Sequence, residues 1–458
     1  MSDSATPEPK LLRTRLSLMM FLQYAIWGAW LPILYPFLLG HRAFSLDQVG
    51  AILAAGAAGA IVGPFIAGQL ADRYFSTQKF LGLSHLAGAV LVWFLAGTDS
   101  FWSFLVISVI YGVVYAPTLA LTNSLSFHHL SDRDKDFGKV RVWGTVGWIA
   151  AGIAIGQWLM MRHTPAQGTP EVIEAAQNAG RAGAFQLSAI LGVVMGIFCF
   201  TLPDTPPAKG EGGANATLAA IKECAKQPLI TLFLLAVPVS IIHQFYFVHA
   251  AGFLTEIQAR SGDTALSDSI NSVFGVGGGG LMTIGQMVEI AVLALIPLVA
   301  KSLGRKTLLF VGLLAYALRM VIFAYLPEIA STTGIPEVAV AISGIVFHGF
   351  CFGCFIFVSF MIVDEETTTD VRASAQNLFN LVIVGIGIIV GSWFATSIVG
   401  NWANEVITPA TQTADAVTQM NYRKLFSVPM WLSVACLGVL VLLYPRKSKR
   451  LGDAPAAE

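Results

Sequence analysis

A glutamine and a glutamate lie in the middle of a long apolar stretch of this chain. The stretch covers residues 275–299, and Gln286 and Glu289 are three positions apart within it. Residues at this spacing share one face of a helix. A charged side chain at the bilayer centre costs about 2.5–3.5 kcal/mol on insertion scales, so such residues usually mark a transport pathway or a buried pair. The pair therefore predicts either a solute and proton pathway or a structural ion pair.

Other apolar stretches also carry polar or aromatic residues at helical spacing. Each set alone is explained by helix packing, or by an amide that bridges two helices for about 1 kcal/mol. Together they predict one polar cavity, because amides, hydroxyls and flat rings suit a flat solute that forms hydrogen bonds. The sets are Gln23, Trp27 and Trp30; Tyr111, Tyr115, Thr118 and Thr122; Arg141, Thr145 and Trp148; Gln244 and Phe247; His348, Phe352 and Phe355; and Gln376, Asn377 and Asn380.

The motifs of soluble enzymes and metal sites are weak or missing. The sequence has no HExxH, GxSxG or Walker A pattern, and the pair His129 and Asp134 falls in a short charged loop. Cys351 and Cys354 form a C-x-x-C inside an apolar run without a second pair, which favours helix packing over metal or redox chemistry. We therefore predict no enzyme, no metal and no cofactor, and no basic tract indicates a nucleic-acid partner.

Composition places these residues in a membrane protein. Of the 458 residues, 55% are hydrophobic and 12% charged, against about 25% charged in soluble domains. About 20 apolar residues cross a bilayer, which predicts twelve transmembrane helices and an all-α polytopic fold. The first predicted span is too long for a signal peptide. The spans are 16–39, 47–70, 80–97, 101–125, 140–160, 183–202, 229–255, 275–299, 306–326, 337–362, 373–399 and 425–444.

Lys and Arg predict the orientation of these spans. Most of the basic residues fall in segments that are cytoplasmic when the N-terminus is inside, as the positive-inside rule requires. An even number of spans then places both termini in the cytoplasm.

The chain divides into two similar halves. Residues 203–228 are rich in Pro, Gly, Ala and Lys and follow the sixth span, and glycine clusters recur at every third span. A period of three spans is typical of transporters built from repeats. The predicted parts are a leader (1–15), a six-helix bundle (16–202), a linker (203–228), a second six-helix bundle (229–445) and a tail (446–458).

Several phrases together resemble one family. They are FLQYAIWGAW, PFIAGQLADRYFSTQK, YAPTLALTNSLSF, VRVWGTVGWIAAG, GQMVEI and VRASAQNLF, in that order along the chain. They resemble the nucleoside–proton symporters of the major facilitator superfamily, over residues 16–445. The resemblance implies the major facilitator fold, with two six-helix bundles around a central cavity and transport by alternating access.

The resemblance also implies roles for particular residues. The end of the second span and the loop after it resemble the gating motif of the superfamily, here Gly68, Asp72 and Arg73. We expect this motif to stabilise the outward-facing state through ion pairs between helices. The positions implied to bind substrate are Arg141, Thr145, Trp148, Gln244, Phe247, Gln286, Glu289, His348 and Phe352.

Two positions depart from the family pattern. Phe247 replaces a polar residue, and Gly353 replaces an acidic residue. Glu289 is then the acid placed deep in a span, and we expect it to carry the proton. Arg141 is its expected charge partner, although the predicted span places Arg141 near the cytoplasmic end. The alternative is a permanently ionised Glu289 that only hydrogen-bonds the ribose.

We therefore expect a monomeric inner-membrane transporter that takes up nucleosides by proton symport. Its partners would be a nucleoside, protons and the lipid bilayer, with the proton as coupling ion. Alternatives are a transporter or exporter of another polar solute, such as a sugar, a nucleobase or a nucleoside analogue, and a non-transporting sensor on the same fold. Which nucleosides it accepts and the proton stoichiometry are not predicted.

Overall fold

The computed structural model describes residues 10–66, 76–206, 214–262, 264–299, 302–368, 371–408 and 417–445. Most of this chain is helical. This follows from the composition, because a segment in lipid must satisfy its backbone hydrogen bonds internally.

The helices of the first half of the chain are mostly long and apolar. The first continues beyond Trp30 through short 3₁₀, α and π turns to His41. They are α1 (Lys10–Trp30), α2 (Leu46–Ile66), α3 (Thr77–Gly97), α4 (Phe101–His129), α5 (Arg133–His163), α6 (Pro170–Gly180) and α7 (Ala182–Cys199).

The second half contains further helices and one hairpin. They are α8 (Ala214–Cys224), α9 (Leu229–Arg260), α10 (Ala265–Phe274), α11 (Gly279–Val299), α12 (Arg305–Ala324), α13 (Leu326–Thr333), α14 (Glu337–Phe350), α15 (Val358–Glu366), α16 (Arg372–Asn380), α17 (Gly387–Trp393) and α18 (Tyr422–Leu443). Wider π turns, Cys351–Phe357 and Leu381–Ile386, join α14 to α15 and α16 to α17. A further π turn, Phe394–Gly400, and a short helix, Asn401–Ala403, follow α17.

The prediction of a polytopic all-α fold is confirmed. Among the described residues, 11 helices are long and apolar enough to cross a membrane. At the remaining predicted span, 47–70, the structure has helix α2 as far as Ile66, and the residues beyond it lie outside the described chain. The count of twelve spans and the cytoplasmic location of the termini stay predictions.

One predicted boundary was wrong for a clear physical reason. The span predicted to begin at residue 275 begins as a helix at Gly279. Gly275, Gly277 and Gly278 have φ of +69°, +86° and +77°, a conformation that glycine adopts freely and other residues do not. The glycine run therefore forms a turn before the helix rather than its first turn.

Several small elements were not predicted. The linker between the halves contains α8, and the loops contain α6, α10 and α13. Between the last two spans lies an antiparallel hairpin of β1 (Asn404–Thr408) and β2 (Val417–Met420), with Asn404 opposite Met420.

The chain forms two compact units. The described residues of the first unit fall within 1–43, 55–211 and 270–283, and those of the second within 44–54, 212–269 and 284–458. Each unit also takes a short segment from the other half of the sequence. The predicted bundle boundaries, 16–202 and 229–445, stay a prediction.

Large apolar side chains cover the outside of the long helices. Trp93, Trp102, Leu298, Trp431 and Leu442 are each more than half exposed. Apolar surface of this extent is typical of a protein surrounded by lipid.

Candidate functional site

Two glycines bring α11 and α14 of the second unit close together. A Cβ added at Gly349 would lie 2.6 Å from the backbone nitrogen of Glu289, and one added at Gly285 would lie 2.9 Å from Cβ of His348. Small residues at a helix crossing let the backbones approach. The crossing places His348 beside the predicted pair Gln286 and Glu289.

His348 is buried between an arginine and a glutamate. Its side chain is 2% exposed, and its Nε2 lies 3.8 Å from Glu289 Oε2. Its Nδ1 lies 3.0 Å from Nη1 of Arg319 on α12. The Gln286 amide nitrogen lies 3.4 Å from His348 Nε2. We call Gln286, Glu289, Arg319 and His348 the Arg319 cluster.

Aromatic rings surround this cluster. The Arg319 guanidinium lies over the Tyr246 ring at 4.4 Å and near the Tyr316 ring at 5.2 Å. Such cation–π contacts stabilise a desolvated cation by about 2 kcal/mol. His243 Nδ1 is hydrogen-bonded to the Tyr316 hydroxyl at 2.7 Å. Tyr246 stacks on the imidazole of His348 with ring centroids 4.7 Å apart.

The remaining predicted residues of the second unit lie around the cluster at different depths. Phe247 meets His348 edge to face at 5.9 Å. Gln244 is buried against α17, where a Cβ at Gly391 would lie 2.9 Å from its Cγ. Phe352 is half-buried in the π turn after α14. The structure thus brings Phe247, Gln286, Glu289 and His348 together, and it places Gln244 against another helix.

The position that departs from the family pattern is tightly packed. A Cβ at Gly353 would lie 2.6 Å from Val292 Cγ1 and 3.3 Å from Ile296 Cδ1. An acidic side chain would need both of these α11 residues to move. Gly353 therefore allows α11 to pack closely against this segment, in addition to lacking the acidic group of the family pattern.

The predicted residues of the first unit lie on α5. The Arg141 guanidinium covers the Tyr24 ring at 4.1 Å. Trp148 meets Trp27 edge to face at 6.0 Å. Arg141, Thr145 and Trp148 are all partly exposed, so their side chains have accessible surface on the side of α5 that also contacts α1.

Arg141 lies farther from the start of its helix than the predicted span 140–160 implied, while its depth in the membrane stays a prediction. Helix α5 begins at Arg133, eight residues earlier, which corresponds to about 12 Å of helix rise. The charged residues between 133 and 141 lowered the hydropathy of this segment and hid the first two turns of the helix.

A second set of buried polar residues in the first unit is fully hydrogen-bonded and neutral. Gln23 donates from Nε2 to Thr118 Oγ1 at 2.8 Å, and its Oε1 accepts from His85 Nε2 at 2.9 Å. Thr118 donates to the Tyr115 carbonyl at 2.6 Å, and the Tyr115 hydroxyl donates to the Gln23 carbonyl at 2.5 Å. We call these four residues the Gln23 cluster, and its closed bonding indicates a structural bridge between α1, α3 and α4.

Sequence reasoning missed Tyr24, which lies under Arg141, and Tyr316, which lies beside Arg319. It interpreted Arg319 as a structural counter-ion or a snorkelling side chain and did not place it in the site, where it lies beside His348. An arginine within the apolar segment 306–326 was itself a signal, since charges in such segments are expensive and usually functional. The predicted gating residues Gly68, Asp72 and Arg73 lie outside the described residues.

Comparisons with known proteins match nearly the whole chain. The profile of the family described as nucleoside H+ symporter matches residues 11–450. The putative nucleoside transporter YegT of Escherichia coli (strain K12) is 31% identical over 82% of this chain and 82% of its own length. The xanthosine permease of the same organism is 30% identical over 82% of this chain and 85% of its own length.

Solved structures agree with these sequence matches at the level of the fold. A crystal structure of the nucleoside transporter NupG superposes with a TM-score of 0.74 at 21% identity, covering 94% of this chain and 98% of that one. That of a D-xylose–proton symporter gives a TM-score of 0.65 at 15% identity, covering 96% of this chain and 100% of that one. The predicted major facilitator fold is therefore confirmed.

Proposed function

Because this chain belongs to the nucleoside H+ symporter family, we propose that it takes up nucleosides across the cytoplasmic membrane by proton symport. Family members and the similar proteins are transporters, so the chain is a multi-pass membrane transport protein and not an enzyme. The nucleoside as solute, the proton as coupling ion and alternating access are the parts of this proposal that need a test.

Glu289 is the observation that most directly supports proton coupling. Its side chain is 13% exposed within an apolar helix, 3.8 Å from an imidazole nitrogen. Desolvation favours the neutral form of a carboxyl group, and a nearby positive charge or hydrogen-bond donor favours the charged form. A carboxyl group that exchanges these surroundings during a transport cycle binds a proton in one state and releases it in another.

The neighbours of Glu289 suit a nucleoside. Gln286 and His348 offer hydrogen-bonding groups beside Glu289, and Phe247 offers a ring. In the first unit, Trp148 offers an indole that is partly exposed. We assign base stacking to Trp148 and Phe352, and hydrogen bonds to the solute to Thr145, Gln244 and Gln286.

Arg141 has the remaining proposed role. Its guanidinium rests on the Tyr24 ring and is therefore held by a contact that leaves its hydrogen-bond donors available. We assign it to solute binding and to charge compensation of Glu289 at one stage of the cycle.

The test is uptake by the purified protein in liposomes. With an inward acid gradient, labelled uridine, adenosine and xanthosine should be compared with uracil, ribose and D-xylose. We expect a nucleoside to accumulate above its outside concentration, and a protonophore to abolish the accumulation. Empty liposomes under the same gradient give the background.

Each other outcome contradicts a defined part of the proposal. Accumulation of ribose or D-xylose without nucleoside uptake would assign a different solute. Accumulation only under an outward acid gradient would indicate antiport. Saturable nucleoside binding without any uptake would favour a sensor on the transporter fold.

A further inference from the structure

Arg319 makes a contact with His348 in which only one assignment of donor and acceptor is possible. Its Nη1 lies 3.0 Å from Nδ1 of His348, and the arginine side chain is 0% exposed. A guanidinium is always protonated in proteins and has donors but no acceptor. Arg319 must therefore donate, and His348 Nδ1 must accept without a hydrogen of its own.

The contact fixes the position of the imidazole hydrogen. In a neutral imidazole one nitrogen donates and the other accepts, and the partner of one nitrogen decides the state of the other. With Nδ1 accepting from Arg319, His348 has its hydrogen on Nε2. That nitrogen is the one that faces Glu289 and Gln286.

The Gln286 amide agrees with this tautomer once its orientation is considered. Its nitrogen lies 3.4 Å from His348 Nε2, which would set two donors against each other. Its Oε1 has no hydrogen-bond partner among the described residues. Amide oxygen and nitrogen exchange places by a 180° rotation, and the rotated amide lets Oε1 accept from Nε2–H.

The other groups packed on His348 leave this assignment in place. From α9, Tyr246 and His243 stack on the imidazole with centroids at 4.7 and 5.5 Å. From α12, Tyr316 is engaged with His243, while Glu289 approaches from α11 on the Nε2 side. Cys351 follows on the same segment as His348. A proton added at Nδ1 would break the Arg319 hydrogen bond and place two buried cations 3.0 Å apart.

We propose that Arg319 is a positioning residue that holds His348 as a neutral Nε2–H donor, so that Glu289 takes up and releases the transported proton. In this cycle the carboxylate of Glu289 becomes a carboxylic acid and then loses the same proton. The imidazole keeps its single hydrogen throughout. The assignment of Glu289 to transport rests on the proposed function, whereas the tautomer of His348 does not.

The tautomer can be measured without any substrate. The protein contains eight histidines, and ¹⁵N-histidine labelling in lipid nanodiscs, with His348→Asn to assign the signals, isolates those of His348. We expect a protonated Nε2 and an unprotonated Nδ1 from pH 5 to 8. A protonated Nδ1 in the unaltered protein would overturn the proposal, even if every Arg319 variant fails to fold.

Removing Arg319 should allow the His348 hydrogen to lie on either ring nitrogen. In Arg319→Met we expect mixed tautomers at pH 8, because His348 Nδ1 loses the donor that fixes its state. Arg423→Met is the matched control, because Arg423 also lies over a tyrosine ring, at 4.8 Å. An unchanged His348 spectrum in folded Arg319→Met would show that Arg319 does not set the tautomer.

Transport gives an independent result. Uridine uptake by Arg319→Met should have a pH profile different from that of the unaltered protein and of Arg423→Met, because His348 no longer keeps one fixed tautomer beside Glu289. If the unaltered protein transports no nucleoside, the proposed function fails while the spectra still decide the tautomer. If uptake is normal and both variants have the same pH profile, the link between Arg319 and proton coupling is refuted.

Discussion

The Gln23 cluster of the first unit and the Arg319 cluster of the second unit are both buried among transmembrane helices, but they differ in charge and in bonding. In the Gln23 cluster, each described hydrogen bond joins neutral groups, and Gln23 uses both ends of its amide. The Arg319 cluster contains an acid and a cation, and Arg319 Nε and Nη2 have no hydrogen-bond partner among the described residues.

The difference separates two uses of buried polar residues. In a neutral network, each group already has a hydrogen-bond partner and none carries a charge that changes during transport. Such a network holds helices together. A cluster with a guanidinium, a neutral imidazole and a carboxyl group changes its interactions whenever the carboxyl group gains or loses a proton. Unpaired buried donors are costly, and the Tyr246 and Tyr316 rings offset part of that cost at Arg319.

The largest expected effect is that of Glu289→Gln. The amide keeps the shape of the side chain but cannot bind a proton, so accumulation driven by an acid gradient should be lost. Exchange of labelled for unlabelled nucleoside should persist. Uptake and exchange in proteoliposomes measure both properties.

The matched control for that variant is Glu328→Gln, which alters an acid in an exposed ion pair with Arg423. This control should accumulate nucleoside as the unaltered protein does. Gradient-driven accumulation by Glu289→Gln at the level of the unaltered protein would remove the distinction between the two clusters.

Trp148→Ala should have the next largest effect, on affinity alone. Loss of a stacking ring costs about 1–3 kcal/mol per base, so the Kd for uridine should rise about tenfold or more. Because Trp148 is neutral and its described neighbours Trp27 and Gly28 are neutral too, the pH dependence of binding should not change. Calorimetric titration at pH 6 and pH 8 measures both properties.

The control is Trp148→Phe, which keeps a ring and should retain most of the affinity. An equal Kd for Trp148→Ala and the unaltered protein would exclude stacking at this position.

Gln23→Met should affect stability more than transport. The methionine has a similar volume but leaves His85 Nε2 and Thr118 without their partner. Unpaired buried groups cost about 1–3 kcal/mol, and hydrogen bonds between membrane helices average about 0.6 kcal/mol. We expect a loss of about 1–2 kcal/mol of unfolding free energy.

Thermal unfolding in detergent checks the stability, and the uptake pH profile checks the function. A shifted pH profile with unchanged stability would mean that the Gln23 cluster also takes part in proton coupling.

The smallest expected effect concerns a charge pair in water. Glu405 and Lys424 are both exposed, 2.5 Å apart, and the hydrogen bond from Lys424 lowers the pKa of Glu405. A lowered pKa contributes stability above the ordinary value of about 4.5 and loses it as the pH falls through the folded value. Lys424→Met should return the pKa of Glu405 towards 4.5.

Between pH 6 and 8 that variant should leave stability and uptake unchanged, because exposed pairs contribute little. Carboxyl NMR titration measures the pKa. A clear loss of uptake would show that charge pairs outside the buried clusters also matter.

Most long helices could be predicted from the sequence, because lipid makes their requirements local. A segment of about 20 apolar residues satisfies its own backbone hydrogen bonds as a helix. Each span can therefore be predicted from its own sequence, without knowledge of the helices that pack against it. The errors arose where local composition competes with packing. The glycines at 275–278 are apolar yet form a turn, and the residues from Arg133 to Arg141 are polar yet helical.

The structure brings part of the predicted set of residues together, while their roles stay predictions. Gln286 and Glu289 share a face because their spacing in one helix requires it, and the resemblance to the family supplied His348. The pairing of His348 with Arg319 joins helices α14 and α12, which are 29 positions apart at these residues. No periodicity in either segment encodes that contact.

The sequence by itself therefore determined the membrane class, the family and the presence of an acid in an apolar helix. Only the tertiary structure decided which polar residues surround that acid. Gly285 and Gly349 allow two helices to approach, and this close packing places His348 between Glu289 and Arg319. A charge in a span is visible from local composition, but its chemistry depends on neighbours that only close packing brings within hydrogen-bonding distance.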